Sequence, residues 1–135
     1  MTASRSPATI LVVDDNPANL LLTKTLLHTS GYLVEEAMNA EQALLLVHAS
    51  RPDLILMDIQ LPGQDGLTAT RQLKSDPATS SIPVIALSAH ALADETAAAL
   101  AAGCDGYLTK PIDTRAFPSQ IAAVLDGGSA GQTRL

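Results

Sequence analysis

Ile10-Leu11-Val12-Val13-Asp14-Asp15-Asn16-Pro17 is the stretch that decides the fold. Its first four residues are apolar without alternation, the pattern of a strand covered on both faces. The run then stops at two acids. Asn is a favoured helix N-cap and Pro is tolerated at the first helical position, so Asn16-Pro17 predicts a helix start. A covered strand that delivers acids to the start of a helix is the first half of a parallel crossover unit.

The same plan recurs along the chain. Leu54-Ile55-Leu56-Met57 is a second fully apolar run ending in an acid, Asp58, and Val84-Ile85-Ala86-Leu87 is a third, ending at Ser88. Tyr107-Leu108 predicts a short strand ending at Thr109-Lys110-Pro111. Tyr32 to Ala37 predicts a further strand, whose Glu35 and Glu36 mark it as an edge.

Helical segments separate these runs. Leu20, Leu22, Leu26 and Leu27 give the first an apolar side, and Gly31 closes it. Asn39 and Gln42 have the spacing of a capping box before Ala43, Leu44 and Val47, and Pro52 marks that helix's end. Leu67 to Lys74 and the alanine-rich Leu92 to Ala102 predict two more, the latter stopped by Gly103. A last helix runs to about Leu125. Pro118 would clash with the preceding turn if that helix began near Thr114, so a later start or a bend is expected. Five strands alternating with five helices predict an α/β fold, a five-stranded parallel sheet with helices on both faces.

With 135 residues the chain suits one domain, expected over 8–126, with a flexible N-terminus at 1–7 and a flexible tail at 127–135. Hydrophobic content is 47% but aromatic content only 2%, so Leu, Ile, Val and Ala must build the core. The net charge of −6 argues against direct nucleic-acid binding, and Tyr32, Tyr107 and Phe117 are too few for base stacking. The single cysteine, Cys104, predicts a reducing compartment. The polar start and the lack of any membrane-length apolar run predict a cytoplasmic protein with no membrane contact.

Ligands of open parallel sheets bind beyond the carboxyl ends of the strands. That rim receives Asp14 and Asp15, Asp58, Ser88 and Lys110 from four separate runs. Two unit charges ~4 Å apart repel by roughly 4 kcal/mol at an effective dielectric near 20, so three acids need a cation that Lys110 alone does not supply. Oxygen donors without His or Cys suit a hard ion, Mg²⁺ completed by waters, with Mn²⁺ as an alternative. A carboxylate so neutralised can attack phosphorus to form an acyl phosphate, with a metal and an ammonium stabilising the transferring oxygens.

Four stretches, Ile10 to Asn16, Asp53 to Gly63, Pro83 to Ala89 and Gly106 to Pro111, together resemble the receiver domains of two-component response regulators, over about residues 8 to 125. The resemblance implies the flavodoxin-like strand order 2-1-3-4-5 and a phosphoacceptor role for Asp58. It implies Mg²⁺ ligation by Asp15, Asp58 and the backbone carbonyl of Gln60, with Asp14 acting through water. Lys110 would pair with the phosphoryl group through a loop with a cis bond to Pro111, Ser88 and Tyr107 would form a switch pair, and Gln60 and His90 would modulate the lifetime of the acyl phosphate. Implied partners are a histidine kinase or histidine phosphotransfer protein and a downstream protein effector, for a single-domain monomer or weak dimer that catalyses only its own phosphorylation and dephosphorylation.

Two other classes fit the residues less well. A flavin electron carrier of this fold needs a phosphate-binding loop where Asp14-Asp15 would repel one. A phosphatase with an aspartate nucleophile needs a second acid two residues on, where Gln60 stands. His28 and His48 lie near helix C-termini, where a cation is mildly favoured, and are not candidate phosphodonors.

Overall fold

A computed structural model describes residues 8–59, 66–88, 93–110 and 112–126. Strands β1 (Thr9–Val13), β2 (Leu33–Ala37), β3 (Leu54–Asp58), β4 (Val84–Ser88) and β5 (Gly106–Thr109) form one sheet in the order β2-β1-β3-β4-β5. Every pairing is parallel. β3 and β4 are buried at every position, which explains their lack of alternation. β2, at an edge, carries Glu35 and Glu36 as the sequence predicts. The expected termini, 1–7 and 127–135, lie outside the described residues.

Helices α1 (Pro17–Thr29), α2 (Ala40–Ser50), α3 (Gly66–Ser75), α4 (Ala93–Ala102) and α5 (Phe117–Leu125) cover both faces. One side of the sheet, with Leu11, Val13, Ile55, Met57 and Ala86, packs against Val47 of α2, Leu73 of α3 and Ala99 of α4. The other, with Ile10, Val12, Leu54, Leu56, Ile85 and Leu87, packs against Leu20 and Leu27 of α1 and Phe117 and Ile121 of α5. Aliphatic side chains dominate both halves. Phe117 is the one ring buried completely among the described residues.

The helix ends follow their local chemistry. Asn16 Oδ1 accepts from the amides of Ala18 (2.9 Å) and Asn19 (3.1 Å), with Pro17 opening α1. Gly31, at φ 93°, takes the left-handed turn after it. The Tyr32 amide then donates to Leu27 O (3.1 Å), so β2 begins at Leu33, one residue later than expected. Asn39 Oδ1 accepts from the Gln42 amide (2.8 Å), while Gln42 Oε1 accepts from Met38 N (2.8 Å) rather than from the cap's own amide. Arg51 closes α2 at φ 51°, a left-handed conformation that no glycine announces.

Pro118 is accommodated by a late start. Asp113 Oδ1 accepts from Arg115 N (3.0 Å) and Ala116 N (3.3 Å), forming a turn before the helix. α5 then begins at Phe117, which places Pro118 in the first turn, where a missing N–H leaves no helical bond unmade.

Candidate acidic site

Parallel register carries the polar ends of the strands to one rim. Val13 is opposite Met57, Asp58 is opposite Leu87, and Ser88 is opposite Thr109. Asp14, the residue after β1, therefore lies beside Asp58, and Lys110 directly follows the residue opposite Ser88. Backbone bonds extend the ladder past the strands: Asp14 N donates to Ala37 O (3.0 Å), Ile59 N to Leu87 O (3.0 Å) and Lys110 N to Ser88 O (2.7 Å).

Asp14, Asp15 and Asp58 each offer a carboxylate oxygen, all within 4.8 Å of one another. Asp14 and Asp58 are buried, at 1% and 3% exposure, whereas Asp15 faces solvent. Lys110 Nζ donates to Asp58 Oδ2 at 2.9 Å and lies 3.3 Å from Asp14 Oδ2. The second approach is an ion pair without hydrogen-bond alignment, and Asp14 Oδ2 is left buried with no hydrogen-bond donor. Asp14 Oδ1 is satisfied by the Asn16 amide at 2.9 Å.

Charge here is unbalanced, with three carboxyl groups around one ammonium. Burial pushes the Asp14 carboxyl above its ordinary value; the Asn16 amide and Lys110 oppose that rise, and the charge of Asp58 adds to it. Burial alone would lower Lys110, but its hydrogen bond to Asp58 and the charges of Asp58 and Asp14 outweigh that, and its pKa is raised. Lys110 is therefore a firm cation.

The donor set fits a hard divalent ion. All three side chains offer oxygen, one buried oxygen has no donor, and the oxygens already converge. Opposite ligands on an octahedral Mg²⁺ lie roughly 4.2 Å apart, so the acids need only a small contraction to bind one.

An open cleft lies beside the acids, lined by Asp14, Asn19, Leu22, Thr23, Leu87, Lys110 and Ile112. Asn19 and Ile112 escaped the reading of the sequence, since nothing in their chemistry marks them, and Leu22, expected on the apolar side of α1, is 39% exposed and lines the cleft instead.

Ser88 is fully buried and Tyr107 half-buried. Tyr107 is opposite Ala86, two residues before Ser88, so both side chains belong to the same face of the sheet, the side of α4. Gln60, His90 and Pro111, singled out in the sequence, lie outside the described residues.

A family model for the response regulator receiver domain matches residues 10–122. The chain is 47% identical over 126 residues to the sensor histidine kinase GacS of Pseudomonas protegens, a match covering 91% of this chain but 13% of that protein. It thus spans a small part of that kinase's length. It is 40% identical over 119 residues to the polar-differentiation response regulator DivK of Brucella anthropi, covering 88% of this chain and 97% of that one. Among solved structures, the receiver domain of a sensor histidine kinase of Pseudomonas aeruginosa PAO1, with a magnesium ion coordinated in its active site cleft, superposes with a TM-score of 0.78. That likeness has 33% sequence identity and covers 91% of this chain and 98% of the other.

Proposed function

Because the chain belongs to the response regulator receiver domain family, we propose that it accepts a phosphoryl group on Asp58 from a histidine kinase or histidine phosphotransfer protein. The observation that carries this reading is the buried Asp58 carboxylate, held by Lys110 within a cluster of three acids from two strands.

An Asp58 oxygen forms a bond to phosphorus while the donor's P–N bond breaks; the imidazole leaves with that electron pair and is protonated from solvent. Lys110, already on Oδ2 of Asp58, pairs with a phosphoryl oxygen, and the Ser88 hydroxyl donates to another. Asp15, Asp58 and the Gln60 carbonyl, with Asp14 through water, would hold Mg²⁺, which would neutralise the charge gathered there. Hydrolysis of the acyl phosphate in the same site returns the carboxylate, with Gln60 and His90 tuning its rate.

Phosphorylation adds about −1.5 to −2 charges at the rim. Recruitment of Ser88 moves one side chain on the face that Tyr107 shares, and the surface around α4, β5 and α5 changes for a protein effector. The protein works in the cytoplasm through protein contacts. Among the described residues, no helix is long and apolar enough to cross a membrane.

The test is incubation with acetyl phosphate and Mg²⁺, with Asp58→Asn in parallel. The wild type is expected to gain one hydroxylamine-sensitive phosphoryl group, mapped to Asp58. Equal labelling of the variant would remove Asp58 from the reaction.

A further inference from the structure

Gly66, the first residue of α3, is fully enclosed against the far side of the Asp58 peptide. A Cβ built there would run into the carbonyl oxygen of Asp58, and would also meet Met57 Cγ at 2.9 Å and Ile59 Cα at 3.0 Å. Two of these three obstacles are backbone, which cannot swing aside. Gly31 and Gly103 adopt positive φ, at 93° and 106°, but Gly66 is not among the left-handed glycines. Its missing side chain therefore serves closeness and not conformation.

Two hydrogen bonds hold the contact from either side. The Thr70 hydroxyl donates to Gly66 O at 2.8 Å within α3, and the Ile59 amide donates to Leu87 O at 3.0 Å across the sheet. The peptide after Asp58 is thus gripped between the end of β4 and the bare first turn of α3. We propose that Gly66 is a positioning residue for the site: by letting α3 rest on that peptide, it fixes where the Asp58 carboxylate and the carbonyls following it can point. This deepens the phosphoacceptor reading of Asp58 and rests on it.

A methyl group at residue 66 has to push the Asp58–Ile59 peptide or α3 aside. A shift of a few tenths of an ångström in backbone is magnified at a carboxylate that must share an ion with two others. Gly66→Ala is accordingly expected to fold, to show displaced carbonyl and amide resonances at Asp58, Ile59 and Lys110 without metal, and to lose at least tenfold in Mg²⁺ affinity and in the rate of phosphorylation by acetyl phosphate. Gly31→Ala is the control, because it strains the backbone in open space far from the rim. It should lower the melting temperature while leaving Mg²⁺ affinity unchanged.

Unaltered affinity and rate in folded Gly66→Ala, with Asp58 still the labelled residue, would overturn the proposal alone. Labelling elsewhere in the wild type would instead overturn the reading beneath it. If Gly66→Ala does not fold, Thr70→Val decides, since it releases Gly66 O without adding an atom. A several-fold loss of affinity, restored by Thr70→Ser, supports the proposal, and wild-type affinity in Thr70→Val overturns it.

Discussion

The ammonium of Lys110 lies 2.9 Å from Oδ2 of Asp58, and the backbone of the same lysine is tied to Ser88 O at 2.7 Å. One residue therefore joins the end of β4 to Asp58, the last residue of β3. Its side chain is 16% exposed and that of Asp58 4%, so the pair is shielded from screening by solvent.

Lys110→Met should lower stability without metal by about 1–3 kcal/mol, because the buried Asp14 and Asp58 carboxylates lose the ammonium that pairs with them. Phosphorylation should slow at least tenfold. Urea unfolding and acetyl phosphate kinetics on the same variant read the two effects separately. An unchanged unfolding midpoint would mean that the pair contributes nothing to the fold.

Mg²⁺ should raise the melting temperature, and a chelator should reverse the gain. At a concentration one hundred times its Kd, a ligand that binds only the folded state adds about 2.7 kcal/mol. Asp15→Asn and Asp58→Asn should each remove most of that gain. Equal stabilisation of both variants would place the ion elsewhere.

Stability without metal should depend on pH through Asp14. Its folded pKa is raised above 3.8, so the folded state favours the protonated form. The penalty is complete above the folded value and fades as pH falls through it toward 3.8. The wild type should therefore gain stability relative to Asp14→Asn over that acidic window. Lys110 works at the other end, since its raised pKa makes its contribution complete below 10.5 and lost as pH climbs through the folded value. Parallel titration curves for wild type and Asp14→Asn would refute the acid-side prediction.

Cys104 should resist thiol reagents in the native state. It is 6% exposed, and burial pushes its thiol up to about 11. At pH 8 about one thiol in a thousand is then ionised, and only the thiolate reacts. Its modification rate should track unfolding in urea. Rapid reaction in buffer would show that α4 opens locally.

Phe117→Ala should cost about 3–5 kcal/mol, the range for emptying a buried aromatic position. Pro118→Ala, by contrast, should change stability by under ~1 kcal/mol, since the proline occupies a first turn whose N–H groups have no helical partner. Denaturant curves for the pair check whether α5 really starts at Phe117.

Much of this architecture was legible in the sequence. The uninterrupted apolar runs at 10–13, 54–57 and 84–87 fixed strand type and burial, because only a doubly covered strand dispenses with alternation. Their terminal residues located the rim. What stayed hidden depended on tertiary approach. Arg51 takes a left-handed turn that a glycine would have announced, and Tyr32 reads as strand yet gives its amide to α1. Asn19 and Ile112 carry no chemical signature, so the cleft they line together with Leu22 emerges only from the fold. Nothing in the sequence marks Gly66, and only the nearness of the Asp58 carbonyl shows why a side chain is forbidden there.

The rim draws its first acid from residue 14 and its lysine from residue 110, nearly the whole length of the domain apart. A ribosome adding 5–20 residues per second needs roughly 5–20 s to cover that interval. Until its last residue is added, the acids that end β1 and β3 wait on a nascent chain that has no Lys110 to meet them. No proteolytic fragment or prematurely terminated chain lacking β5 can imitate the finished site, so its competence arrives as a single late event in the life of each molecule.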